Sequence, residues 1–172
     1  MQFTGAGDVA SSLFSLVWSI TMLVSQFQFR WLIRRDVSSI LPMLGIKEHD
    51  LVALLRQRNV IGVVLVEERS QRNVGAVIYA LQKMEISIVH FGCDDQYADI
   101  FFSVMTQRMT DKLSQQRRTK LHINVPEHDL SSQIRLSELG FLGAQVDDLV
   151  VMSYYLHKEY DDNDDDHYYG HQ

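Results

Sequence analysis

Three apolar, β-branched runs follow one another between residues 59 and 92 with almost nothing between them: NVIGVVLVEE (59–68), NVGAVIYALQK (73–83) and EISIVHFG (85–92). SQRN (70–73) makes the first turn, and a tight one near Met84 the second. Runs of this composition bounded by turn residues read as strands. Strands joined this closely must pair antiparallel, because a parallel crossover needs a dozen or more residues. The meander therefore dictates the middle of a sheet, and the remaining segments have to build around it. FRWLIRR (29–35) reads as a strand before it. DVSSILPMLG (36–45) reads as a helix capped by Asp36 and interrupted by Pro42, and EHDLVALLRQR (48–58) as a second short helix. After the meander a long helix is expected from Gln96 to about Gln116, with Ile100, Val104 and Leu113 inward. TKLHINV (119–125) follows as a strand, and a strand–helix–strand unit implies parallel pairing. Leu130 to Leu139 reads as a helix that Gly140 ends in a left-handed cap, and DDLVVMSYYLHK (147–158) as the last strand.

A chain of 172 residues suits one domain with tails. Its one cysteine, Cys93, excludes an internal disulfide framework and fits a reducing cytoplasm. No Cys/His grouping has zinc spacing, so no metal is expected. The net charge of −6 is concentrated at the end, where YDDNDDDHYYGHQ (160–172) holds five aspartates. Without them 17 acids face 16 bases, a balance that does not suit nucleic-acid binding. Residues 159–172 read as a solvated, disordered acidic tail, with loose cation chelation as the alternative.

Residues 1–28 form a separate unit. Val9 to Phe29 lack charge over about the length of a membrane span, but eight Ser, Thr and Gln residues interrupt them. Leu13, Leu16, Val17, Ile20 and Val24 keep the rhythm of an amphipathic helix that could dock on the domain or make a homodimer. Alternatively, Met22 is the natural start and the preceding residues an extension, or the segment anchors the chain in a membrane, the weakest of the three.

LHINVPEHDLSSQIRLSELGF (121–141) has the most specific spacing in the domain at 29–158. Together with the element order, it resembles the closing motif of the GNAT acetyltransferase superfamily, in which a strand ending in valine leads to an asparagine, an alanine, a tyrosine and then Gly-Phe. Counting from Val125, Asp129 stands at the asparagine place, Ser132 at the alanine place and Leu136 at the tyrosine place, with Gly140 and Phe141 in register. LLRQRNVIGVV (54–64) and KLSQQRRTK (112–120) are most similar to the RimI-type ribosomal-protein alanine N-acetyltransferases. The resemblance covers roughly residues 29–156. It implies an α/β (α+β, three-layer) fold with a mixed, mostly antiparallel twisted sheet and a splayed parallel strand pair. It also implies acetyl-CoA as cofactor and an amine or protein amino terminus as acceptor.

In that fold a bulge parts two parallel strands, and a glycine-rich turn wraps the cofactor's pyrophosphate with amides at a helix amino terminus. The matching turn here is GCDDQYADIF (92–101), with Gln96 in register, Asp99 at the first glycine place and Phe101 at the second small one. The resemblance thus assigns the cofactor to Phe91, Gly92, Cys93, Gln96, Tyr97, Ala98, Asp99, Ile100, Phe101 and Asp129. Asp94, Asp95 and Asp99 put negative charge where phosphate would sit. Two charges about 6 Å apart at an effective dielectric near 20 repel by roughly 3 kcal/mol, about a hundredfold in affinity. The same carboxylates suit a helix amino terminus. Asn124 replaces the glutamate and Leu136 the tyrosine of the family pattern, and neither moves a proton near neutral pH. Replacement bases are His90 and His122, each with a purely structural reading beside it. Cys93 as nucleophile is opposed by the nearby aspartates, and Tyr97, Tyr154 and Tyr155 read more readily as packing residues. Arg117, Arg118 and Lys120 either meet a cofactor phosphate or form a solvated helix end. Two functions follow: an acetyl-CoA-dependent N-acetyltransferase, or a catalytically degenerate domain kept as a binding or assembly module.

Overall fold

The computed structural model describes residues 26–156. The three readings of the amino-terminal segment and the reading of the acidic tail lie outside the described residues.

The meander forms as its composition dictates. Strands β2 (Val60–Glu67), β3 (Arg72–Leu81) and β4 (Glu85–Cys93) pair antiparallel, and β1 (Phe27–Trp31) adds to β2 at one edge. Helices α1 (Val37–Leu44) and α2 (Glu48–Leu55) lie between β1 and β2, and α3 (Ala98–Gln115) connects β4 to β5 (Lys120–Pro126). Helix α4 (Leu130–Glu138) precedes a closing hairpin of β6 (Leu142–Val146) and β7 (Leu149–Tyr155). The sheet runs β1-β2-β3-β4-β5-β7-β6, antiparallel except for β4 and β5. Two cores give the three layers. Val64, Val66, Ala76 and Ile78 meet Ile40, Leu44 and Leu51 on one face, while Val77, Ile86, Ile88, Leu121 and Ile123 meet α3 and Leu136 on the other. Among the described residues no helix is long and apolar enough to cross a membrane.

Several expectations are corrected by the structure. The first strand is Phe27–Trp31, starting two residues earlier than expected and ending four earlier, since Arg34–Asp36 form a 3-10 turn. Asp36 does not cap α1 with its side chain: the carboxylate turns back to Arg30 and to the Ile33 amide ahead of the 3-10 turn. Pro42 sits inside α1 without ending it, and the helix stops at Gly45, whose φ of 63° is the left-handed stop. The buried face of α3 is Phe101, Phe102, Met105, Met109 and Leu113, with Ile100 and Val104 only half-buried at its margin. Strand β6 was not foreseen, because LGAQV is exposed throughout and carries no buried stripe to mark it.

Tyr79 on β3 is fully buried, and its hydroxyl has no hydrogen-bond partner among the described residues. Burial pushes its pKa up to about 12, opposed in part by Arg108. An unmade buried hydrogen bond costs about 1–3 kcal/mol. Tyr79→Phe should therefore leave stability unchanged or raise it by about 1 kcal/mol in urea unfolding. A loss of that size would instead mean that the hydroxyl is satisfied.

Candidate functional site

The β4–β5 pairing is short: Glu85 to Ile88 opposite Lys120 to Ile123. Just beyond it β4 carries a bulge. Ile78 faces His90 and Tyr79 faces Ile88, so Val89 is the extra residue. A bulge bends its strand and strengthens the local twist. Here it turns the last residues of β4 away from β5, which continues beside β7 to Pro126. From Val89 to Cys93 the β5-facing side of β4 has no strand partner among the described residues.

Side-chain alternation sorts the candidates. On β5, Leu121, Ile123 and Val125 enter the α3 core, so His122 and Asn124 face the α1–α2 side. His90 faces the same side, where Asp50 of α2 acts on it. The three candidate chemical residues therefore share one face around the fork. Burial lowers the pKa of both histidines, with Asp50 opposing the shift at His90 and Glu85 at His122. Nδ1 of His122 is buried 3.6 Å from Glu85 Oε2, too long for a hydrogen bond, and has no partner among the described residues. Asn124 is exposed.

The turn after β4 is only partly what its sequence implied. Asp94 receives Arg72 at 2.6 Å, and Asp99 receives Arg135 of α4 at 2.8 Å. Two of the three carboxylates thus carry guanidinium partners, which offsets much of the repulsion expected from them. The Asp94 amide donates to Val74 and the Tyr97 amide to Asp94. Asp95 and Gln96 thus hold the amides still without a protein acceptor among the described residues. Phe101 leaves the turn altogether. Its ring is fully buried against Gly75, where any Cβ would collide with it. Ile100 and Tyr97 also pack inward, the latter edge-on to Phe27. Ala98 and Asp99 open α3, and Gln96 is exposed.

Phe91 stacks edge-on against Phe102, and Gly92 lets the Met43 carbonyl of α1 approach where a Cβ would overlap it. Burial, with Asp95 next, pushes the Cys93 thiol up to about 11, which makes it a poor nucleophile at neutral pH. Asp129 caps α4 by accepting from the Ser132 amide at 3.1 Å, and Leu136 is wholly in the core. Arg117, Arg118 and Lys120 stand beyond the carboxy-terminal end of α3, about 27 Å from the turn at 1.5 Å per residue, so they cannot meet a phosphate there. Sequence reasoning missed Arg72, Arg135 and Glu85, which come from distant segments and bear no local motif. Among the described residues no group of side chains has the makings of a metal site.

No protein-family model and no curated protein matches the chain. Solved structures do match its fold. The chain is similar to the ribosomal-protein-S18-alanine N-acetyltransferase of Escherichia coli, with a TM-score of 0.63 and 12% identity over 78% of this chain and 97% of that one. Ard1 of Thermoplasma volcanium gives 0.65 and 12% over 77% and 99%, and a spermidine N-acetyltransferase of Vibrio cholerae 0.62 and 12% over 76% and 94%. The seven-stranded sheet with its one parallel pair is the GNAT acetyltransferase fold.

Proposed function

We propose that the protein binds acetyl-CoA in the cleft between β4 and β5 and transfers the acetyl group to an amine. The carrying observation is the bulge at Val89, which leaves the β4 backbone from Val89 to Cys93 free on its β5 side. That edge can pair with the amides of a pantetheine arm, and the Asp95 and Gln96 amides at the start of the 3-10 turn can take phosphate oxygens. The bound thioester would supply the activated acyl group. The chain's own task is to hold the arm, exclude water and take a proton from the incoming amine. His122 suits that last role: burial lowers its pKa, it lies beside the end of the β4–β5 pairing, and the Glu85 carboxylate stands 3.6 Å from its Nδ1 to stabilise a proton taken up there. Asp147 and Asp148 sit beside the end of β5, where the Glu127 amide donates to Asp148. Their charge favours a cationic acceptor, as an amine is before it loses its proton.

A second reading, a binding module without turnover, is favoured by Leu136 and Phe101, both fully buried where the family pattern has a tyrosine and a small residue. Calorimetric titration of acetyl-CoA into the protein separates the two. Micromolar binding is expected of the transferase. Asp99→Gly, which frees Arg135 for phosphate, should tighten it roughly tenfold. Absence of binding at millimolar acetyl-CoA by both proteins would overturn the transferase reading.

A further inference from the structure

Charge in this fold is segregated. Residues 26–156 hold 15 acidic and 15 basic side chains, so the described body is neutral as a whole. Six of the bases gather at the end opposite the cleft: Lys83, Arg108, Lys112, Arg117, Arg118 and Lys120. The structure brings them together from three segments. Arg118 Nε donates to the Gln82 carbonyl at 2.8 Å, beside Lys83, and the Thr119 amide donates to Met84. Lys112 lies 5.8 Å over the Tyr79 ring, with Arg108 one helical turn away. Opposing charge is sparse. Glu85 is 3.9 Å from Lys120, and Asp111 is held by the Gln107 amide. The described chain ends in the middle of this cluster, where the Leu156 amide donates to Thr119 at 2.9 Å. The next 16 residues, 157–172, carry six carboxylates and one lysine.

We infer that the acidic segment 159–172 lies across this basic end of its own chain and shields it from external polyanions. Reach is ample, since an extended chain spans up to about 3.3 Å per residue while Arg117 to Arg108 is only about 14 Å of helix. Tethering supplies an effective concentration of about 1 mM, so even individually weak pairs hold the segment in place. Being electrostatic and exposed, the association weakens with salt. It does not rest on acetyl transfer, because it is argued from charge and chain reach alone, although Lys120 and Glu85 adjoin His122.

Zero-length carbodiimide coupling of the full chain, read by mass spectrometry, tests the placement. Of the described lysines, Lys83, Lys112 and Lys120 belong to the basic end, while Lys47, just ahead of α2, is the internal control. Links from Asp161–Asp166 to the first three, within one chain and several-fold weaker at about 0.5 M than at about 0.05 M salt, are expected. Equal coupling to Lys47, coupling only between chains, or none would overturn the inference. A second variant carries Asp161→Asn, Asp162→Asn, Asp164→Asn, Asp165→Asn and Asp166→Asn together. It should bind heparin about tenfold tighter than the native chain, the factor expected when a competitor at about 1 mM effective concentration and a dissociation constant of about 0.1 mM is removed. Unchanged heparin affinity would show that the acidic segment does not cover the basic end.

Discussion

Asp36→Ala should destabilise the protein by about 3–5 kcal/mol, read as a shift of the urea midpoint. Asp36 is 3% exposed and takes both guanidinium nitrogens of Arg30 at 2.7 Å, the Ile33 amide at 2.9 Å and the Asn73 amide at 3.0 Å. Asn73 also donates to Ser39. One carboxylate thus ties β1, the entrance to α1 and β3 together. Removing it leaves a partly buried guanidinium and two amide donors, of Ile33 and Asn73, without this acceptor. Replacing both partners, Arg30→Met with Asp36→Leu, should cost less than the single change, because no uncompensated charge remains. The Arg30 guanidinium holds the Asp36 carboxyl well below the usual carboxylate range. A group with a depressed folded pKa contributes stability above its unfolded pKa near 4, and that stability is lost as pH falls towards the folded value. Acid unfolding of the native protein should therefore steepen below about pH 4, and Asp36→Ala should flatten that limb. An equally steep limb in the variant would assign the acid sensitivity elsewhere.

His122→Gln should lower acetyl transfer about a hundredfold in kcat/KM while leaving acetyl-CoA binding unchanged, if His122 is the base. Burial first, opposed by Glu85, sets the His122 pKa below its ordinary value. The acid limb of kcat/KM for the native protein should accordingly lie below pH 6.5. Glu85→Gln removes the charge that opposes the shift and should move the limb lower still. His90→Gln is the control on the same face. A full loss there with His122→Gln active would move the base to β4, beside Asp50, and leave Glu85 without influence on the pH profile.

Local chemistry made much of this legible in advance. The meander from Val60 to Cys93 follows from β-branched runs whose joins are too short for any other pairing. The long helix between β4 and β5 fixed the parallel pair, and Gly140, at φ 92°, ends α4 as its position implied. The spacing from Val125 to Phe141 carried the resemblance to a fold that solved structures then matched. Strand β6 escaped because a solvent-facing edge strand needs no apolar alternation. The buried role of Asp36 escaped because an aspartate before a helix reads first as a cap. Ion pairs such as Arg135–Asp99, between residues 36 apart, leave no trace in either local segment.

The sequence alone determined every strand but β6, the four helices, the one parallel pairing and the position of the acidic turn at 92–101, since turn length and periodicity are local properties. Tertiary structure decided the rest. The extra residue at Val89 opens β4 from β5, Gly75 and Gly92 let Phe101 and α1 close in, and Arg72 and Arg135 neutralise aspartates that looked bare. Each of these depends on the distance between segments far apart in the chain, and only the packed sheet sets that distance.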